Sequence, residues 1–260
     1  DYISNIEELN SIRSNLSGKY LLIKDIDFVG ENWVSINNFK GIFDGGYNTI
    51  SHVNIQGVKN GTNVYAGIFG FSSEGSVIRN LRVFDSSLTH AEWHVVIDAG
   101  FIVGYTNGIV ENCRVENCSM NIQIYAQDKT YKGREFYSNG GGIAGVIRNA
   151  TITKCYVDCC YIYSYSLANY NNLQAMARAG GIAGYSEKSI TGNCFVSNAK
   201  GIIAKAQETD YGAWNKASKA TARAGGICGE CKGGDGSEIR NCVMYSNANV
   251  YSSVSTKQAS

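Results

Sequence analysis

The sequence predicts an all-β protein: a right-handed parallel β-helix with a short N-terminal amphipathic helix as a cap and variable hairpin or loop insertions on one face. Three observations predict this fold. A glycine-flanked apolar motif recurs five times, a short alternating strand pattern follows each copy, and proline is absent from the 260 residues. The chain also has 30 glycines, 44% hydrophobic residues and 17% charged residues, which is enough apolar content for an elongated core.

The first observation is the recurring motif, which we call the glycine knot. The knots are Gly67–Gly70, Gly100–Gly104, Gly142–Gly145, Gly181–Gly184 and Gly226–Gly229. Their closing glycines lie roughly 40 residues apart, a period typical of solenoids, propellers and other arrays. The second knot has one extra residue, which indicates a bulge at Phe101 or Ile102. We expect the glycines to allow positive φ at corners and to let neighbouring coils approach closely.

The second observation is a short apolar/polar alternation of strand type after each knot. The segments between knots are too short for the helices of a helical repeat, and they contain too few strands for a propeller blade. Each repeat unit is therefore predicted to form one coil of a β-helix. One position of the alternation is Leu81 in the first unit and cysteine in the next four, Cys113, Cys155, Cys194 and Cys242. We expect these residues to form an inward ladder in which the thiols act as small hydrophobes.

The first part of the chain lacks the repeat and is predicted to be a cap covering residues 1–38. Apolar residues at helical spacing between Ile6 and Leu16 predict an amphipathic helix that ends near Gly18. Solenoids need such a cap because it shields the core and the edges of the first strands. Residues 39–260 are then predicted to form one continuous solenoid domain.

The repeats resemble a known family, the GLUG repeat of secreted bacterial proteins. The resemblance rests on Gly-Gly-Ile-Ala-Gly knots followed by Ile-x-Asn-Cys-x-Val, and on a lead-in made of Tyr20–Phe28, Trp33 and Phe39–Ile50. It covers nearly the whole chain and implies a β-solenoid. Such regions occur in adhesin-like surface proteins and beside the catalytic domain of IgA-protease-type zinc peptidases, where the repeat region is not the catalyst. The resemblance therefore implies secretion or surface display, and it supplies no catalytic residue.

Aromatic residues concentrate in three long segments between the repeat units, at 119–139, 161–178 and 200–223. We expect these segments to be insertions that lie side by side and form one surface suited to a sugar or a protein. Alternatively, the same tyrosines form the apolar body of a flanking sheet. The candidate ligand-binding residues are Tyr125, Tyr131, Tyr137, Tyr161, Tyr163, Tyr165, Tyr170, Tyr211 and Trp214.

One segment offers weak candidates for a metal site. His90, Glu92 and His94 would share one face of a strand, and imidazole and carboxylate are groups that zinc accepts. Two surface histidines beside a tryptophan are the more ordinary interpretation, and the spacing is not that of a zinc peptidase helix. We therefore expect no bound metal, no cofactor and no catalytic residue.

The preferred function is a non-enzymatic extracellular or cell-surface module for adhesion or ligand binding through its aromatic insertions. Two alternatives are a structural stalk or filament subunit that self-associates through the solenoid ends and a carbohydrate-active β-helix enzyme. The expected partner is a glycan, a host protein or a neighbouring protein. A net charge of +1 gives no argument for nucleic acid, and no apolar run reaches the length of a membrane span.

Overall fold

The computed structural model describes residues 1–93, 96–126, 134–168, 173–210, 219–232, 236–246 and 249–258. Its strands form five sheets, and in each sheet the strands lie side by side in chain order. One pass of the chain, from Phe69 to Gly100, contributes a strand to all five sheets. This confirms the all-β class with parallel sheets and is consistent with a β-helix. Within the described ranges, no helix is both long and apolar enough to span a membrane.

We number the sheets in the order in which one pass of the chain visits them. Sheet 1 contains Phe69–Ser72, Val103–Thr106, Ala144–Arg148, Ala183–Glu187 and Cys228–Lys232. Sheet 2 contains Tyr2–Ile3, Lys19–Leu22, Ile42–Asp44, Val77–Arg79, Ile109–Glu111, Thr151–Thr153, Ile190–Gly192 and Glu238–Arg240. Sheet 3 contains Ile26–Asp27, Thr49–Ser51, Arg82–Phe84, Arg114–Glu116, Tyr156–Asp158, Phe195–Ser197 and Val243–Tyr245.

The last two sheets contain the longest strands. Sheet 4 contains Asn32–Val34, Asn54–Gln56, Ser87–Trp93, Ser119–Ala126, Tyr161–Ala168, Gly201–Asp210 and Val250–Gln258. Sheet 5 contains Val58–Asn60, Asn63–Ala66, Val96–Gly100, Glu135–Gly141, Gln174–Gly180 and Lys219–Gly225. The first two strands of sheet 5 form an antiparallel hairpin.

The three long segments are not the hairpins that we expected. Ser119–Ala126 pairs in parallel with Tyr161–Ala168, and that strand pairs in parallel with Gly201–Asp210. The second half of each segment behaves in the same way in sheet 5, where Glu135–Gly141 pairs in parallel with Gln174–Gly180. The hairpin form of the predicted insertions was therefore wrong for these segments, whose described strands lengthen the coil and lie side by side as expected. Alternation along the sequence indicates a strand, but it does not indicate which strand is its partner.

The glycines of the knots serve close packing rather than unusual backbone angles. An ideal Cβ atom built on Gly181 would lie 2.1 Å from the carbonyl oxygen of Gly226 in the next coil, and one on Gly142 would lie 2.3 Å from that of Gly181. A side chain has no room there, as the predicted close approach requires. The expected positive φ at the knots was wrong, since the glycines with positive φ lie elsewhere.

Asparagine supplies most of the left-handed residues at the corner between sheets 2 and 3. Asn80, Asn112, Lys154, Asn193 and Asn241 stand at this corner in successive coils, with φ between 51° and 56°. Asparagine tolerates this region better than most residues because its short side chain bonds locally. The Nδ2 group of Asn112 donates to Oδ1 of Asn80 at 2.7 Å, so neighbouring coils are also joined through this corner.

The cysteine positions of the predicted ladder lie on the inner side of the same corner. Cys113, Cys155 and Cys194 are buried, and Cys242 in the next coil is half-buried. Burial raises the pKa of the Cys155 thiol well above its usual value, which keeps it protonated. All nine cysteines of the chain are free thiols.

A short helix lies at the N-terminal end, as the apolar spacing predicted. It spans Ile6–Ser11 and continues as a 3₁₀ helix over Ile12–Ser14, so it ends before the predicted boundary at Gly18. The side chain of Asn5 caps it by accepting a hydrogen bond from the Glu8 amide at 2.8 Å. Leu9 is fully buried and belongs to the hydrophobic core, which fits the covering role of a cap.

Candidate functional site

The outer face of sheet 4 carries a row of tyrosines on the strand Tyr161–Ala168. Tyr161, Tyr163 and Tyr165 point outward and are half-buried, whereas the alternating residues between them are buried in the coil. The rings of Tyr161 and Tyr163 are parallel with centroids 6.4 Å apart, and those of Tyr163 and Tyr165 are 6.5 Å apart. This is about the distance of 6.6 Å between every second residue of a strand, so the backbone sets the ring spacing.

Neighbouring coils extend this row in both directions. On one side, Tyr125 packs 6.1 Å from Tyr165, and Trp93 packs 5.4 Å from Tyr125. On the other side, the ammonium group of Lys205 lies 5.8 Å from the ring centres of both Tyr163 and Tyr251. We call the resulting surface the aromatic face, which consists of Trp93, Tyr125, Tyr161, Tyr163, Tyr165, Lys205 and Tyr251.

Amide side chains lie among these rings and orient their hydroxyl groups. The hydroxyl of Tyr165 donates to Oε1 of Gln207 at 3.0 Å, and that of Tyr125 donates to Oε1 of Gln123. Gln123 in turn donates to Asn121 at 3.0 Å. Burial raises the pKa of Tyr165, so its hydroxyl is a neutral donor at physiological pH. The face therefore combines apolar rings with amide and hydroxyl groups of defined orientation.

The structure brings together only some of the predicted ligand-binding residues. Tyr125, Tyr161, Tyr163 and Tyr165 share the aromatic face, but Tyr137 lies on sheet 5. The expectation of one surface therefore does not hold for Tyr137. The other predicted residues lie outside the described residues: Tyr131, Tyr170, Tyr211 and Trp214. Sequence reasoning omitted Trp93, Lys205 and Tyr251, which become neighbours of the tyrosines only through the strand register.

His90 and Glu92, two of the weak metal candidates, lie on one side of their strand, but that side faces inward. His90 pairs in register with the buried Ile122, and Glu92 binds the ammonium group of Lys59 at 2.8 Å. Burial lowers the pKa of His90, which favours its neutral form. His94 lies outside the described residues. Among the residues that the structure does describe, no three His, Cys, Asp or Glu side chains are grouped as a metal site requires.

Sequence reasoning missed a second set of polar residues, where sheets 5 and 1 meet. Asp98, Asn139 and Arg178 lie in successive coils and are only 3%, 4% and 7% exposed. Each stands two residues before the glycine that ends its strand in sheet 5. That constant offset was a signal in the sequence, but three different residue types at such long spacing do not resemble a motif.

Comparisons with known proteins support the fold. No family model matches this chain, and no curated protein matches it. The chain is similar to the crystal structure of a Bacteroides ovatus protein provisionally named an immunoglobulin A1 protease, with a TM-score of 0.50 and 20% identity over 100% of this chain and 80% of that one. It also resembles a structure named IgA1 protease, with a TM-score of 0.39 and 14% identity, of which it covers 21%.

At 20% identity, the first likeness shows a shared fold and nothing more. It agrees with the architecture expected of a region that accompanies IgA-protease-type proteins. The narrower resemblance to the GLUG repeat has no matching family model and stays a prediction.

Proposed function

We propose that this chain is a non-enzymatic, secreted or surface-displayed β-solenoid, wound right-handed, that binds carbohydrate through its aromatic face. The observation that carries the proposal is the continuous set of rings on sheet 4, with Tyr161, Tyr163 and Tyr165 held at regular spacing by the strand. Aromatic side chains offer large contact areas at low entropic cost, because few rotatable bonds must be fixed.

The polar groups on the face favour a sugar over a charged ligand. Amides and hydroxyls both donate and accept hydrogen bonds, as the hydroxyls of a sugar do. Gln123 and Gln207 already orient tyrosine hydroxyls, and Lys205 contributes one positive charge. A glycan chain laid across the face would meet rings in several neighbouring coils, which are about 4.8 Å apart in a sheet.

A binding role is favoured over proteolysis, although the Bacteroides ovatus protein carries a protease name. The aromatic face and the glutamines beside it bring together rings, amides and one ammonium group, but no paired nucleophile and base among the described residues. The resemblance noted in the sequence likewise places the repeat region beside a catalytic domain, not in it.

The test is a binding screen with soluble polysaccharides, including mucin glycans, galactan, mannan and xyloglucan. Wild type is compared with the double variant Tyr163→Ala/Tyr165→Ala, for which we expect at least about tenfold weaker binding. Tyr245→Ala is the matched control, because Tyr245 is 74% exposed but lies on sheet 3. Equal binding by all three proteins, or no binding to any polysaccharide, would refute the proposal. Circular dichroism of each variant checks that the fold is intact.

A further inference from the structure

A cleft lined by residues of sheets 5 and 1 has features of a separate binding site. It lies where sheets 5 and 1 meet and has a volume of about 250 Å³. Sites for drug-sized ligands usually span roughly 300–1,000 Å³, so this cleft has room for a single small ring. None of the residues of the aromatic face lines it.

Three buried polar side chains from successive coils form a chain of hydrogen bonds along the cleft. The Nδ2 group of Asn139 donates to Oδ1 of Asp98 at 2.7 Å, and Nη1 of Arg178 donates to Oδ1 of Asn139 at 3.0 Å. The Nε group of Arg178 donates to Glu230. These bonds fix the orientation of all three side chains before any ligand arrives.

Tyrosines form the walls of the cleft. The guanidinium of Arg178 lies 4.7 Å from the ring centre of Tyr137 and 4.5 Å from that of Tyr185. Tyr105 is aligned with Tyr185 in sheet 1, with Val146 on the strand between them. Such walls suit the apolar face of a small ring, and they hold the guanidinium plane rigid.

The charged side chains around the cleft leave an excess of positive charge. Two ion-pair groups contribute to it: Arg178 and Arg223 share Glu230, and Arg148 and Lys232 share Glu187. Each group has two cations for one anion. Asp98 is the remaining acid, and its burial raises its pKa to about 7, so it offsets this excess only in part at neutral pH.

Asp98 and Arg178 each keep a polar atom outside this chain of hydrogen bonds. The hydrogen bonds among the described residues use Oδ1 of Asp98 and the Nε and Nη1 groups of Arg178. The second oxygen of Asp98 and the Nη2 group of Arg178 take no part in them, although both residues line the cleft. A protonated Asp98 and Arg178 would together present two donors, which is the arrangement that a carboxylate accepts.

We propose that this cleft binds one acidic monosaccharide unit, with its ring against the tyrosine walls and its carboxylate at Arg178 and Asp98. This goes beyond the proposed function, because the site lies on different sheets and recognises a charged group. The bound carboxylate requires the protonated form of Asp98, since two carboxylates that face each other repel.

The proposal implies a characteristic pH dependence. The titratable and charged groups that face Asp98 are those of Tyr65, Tyr105, Arg148 and Arg178. Burial raises the pKa of Tyr65 and of Tyr105 further above this range, whereas the pKa of Asp98 is about 7, so Asp98 is the group whose charge we expect to change between pH 6 and 8. If only the protonated form binds, affinity for the acidic sugar falls about tenfold from pH 6 to pH 8.

The experiment is isothermal titration calorimetry of the full chain with sodium D-galacturonate, D-glucuronate and N-acetylneuraminate. D-Galactose and D-glucose serve as uncharged counterparts. We expect at least one acidic sugar to bind more tightly than its neutral counterpart, and to bind about tenfold more weakly at pH 8 than at pH 6. Asp98→Asn imitates the protonated carboxyl, so it should bind the acidic sugar with an affinity that is the same at both pH values.

Two further variants separate this site from the aromatic face. Arg178→Met should abolish binding of the acidic sugar, whereas Tyr163→Ala/Tyr165→Ala should leave it unchanged. If Arg178→Met fails to fold, the pH dependence of the affinity of wild type and of Asp98→Asn for the acidic sugar still tests the proposal. The proposal is overturned if neutral hexoses bind as well as the acids, if affinity rises with pH, or if none of the three acids binds at millimolar concentration. A failure of polysaccharide binding at sheet 4 leaves these outcomes unaffected.

Discussion

Replacing Asp98 with asparagine should make the protein more stable at alkaline pH. The buried carboxyl has a pKa of about 7, raised from an ordinary value of 3.8 chiefly because burial disfavours its charged form. A raised pKa means that the stabilising contribution is complete below pH 3.8 and is lost as pH rises through 7. From these two values, wild type loses about 4 kcal/mol of unfolding free energy by pH 8. About 3 kcal/mol of this loss falls between pH 5 and pH 8.

The assay is urea unfolding of wild type and Asp98→Asn at pH 5, 6, 7 and 8. The variant keeps an oxygen that can accept from Asn139, but it carries no charge to bury. We expect the difference in unfolding free energy between variant and wild type to grow with pH and to level off above pH 7. Glu74→Gln removes an exposed acid, and its unfolding free energy should change with pH in parallel with that of wild type. Parallel curves for wild type and Asp98→Asn would show that this carboxyl does not titrate in the folded state, and the reasoning would fail.

Three other predictions test the packing of the coils. Gly180→Ala should lower the unfolding free energy by several kcal/mol, because a Cβ there lies 1.9 Å from a backbone oxygen. Gly192→Ala is the control, since a Cβ there has its nearest atom at 3.5 Å, and it should lower the unfolding free energy far less, as urea unfolding can show. Asn112→Ala should lower the unfolding free energy by about 1–2 kcal/mol, because alanine is strained at positive φ, and Asn112→Gly should be more stable than Asn112→Ala. Iodoacetamide should label the exposed Cys231 in the native protein and Cys155 only after unfolding, as mass spectrometry can show; early labelling of Cys155 would contradict its burial.

The parallel-sheet class could be predicted because its determinants repeat in the sequence. Each coil must fill the same inward positions, so one residue type recurs at one place, as Cys113 and Cys155 do. The N-terminal helix was also predictable, since its apolar spacing is local and Asn5 is a recognisable cap. The end of the helix was less predictable, because the chain must leave the helix in order to enter the strand Lys19–Leu22 of sheet 2. The position of that strand is a tertiary effect.

The candidate sites could be predicted only in part, because they depend on register. Alternation placed Tyr161, Tyr163 and Tyr165 on one face correctly, since that is a property of a single strand. It could not show that Lys205 would lie beside Tyr163, because a shift of one residue in pairing would place it on the other face. The number of residues between coils varies, so spacing alone does not determine that register.

The polar residues of the cleft between sheets 5 and 1 differ from the residues at positions that serve only the fold. Positions that serve only the fold hold similar residues in successive coils, as the buried cysteines and the corner asparagines do. Two residues before the strand-ending glycine, the residue changes from Asp98 to Asn139 to Arg178 at nearly constant burial. Burying three different polar side chains costs free energy unless they bond to one another, and apolar residues would fill the same space without that requirement. The proposed recognition of an acidic sugar gives these three side chains a role that apolar residues could not fill, and the titrations with Asp98→Asn and Arg178→Met test it.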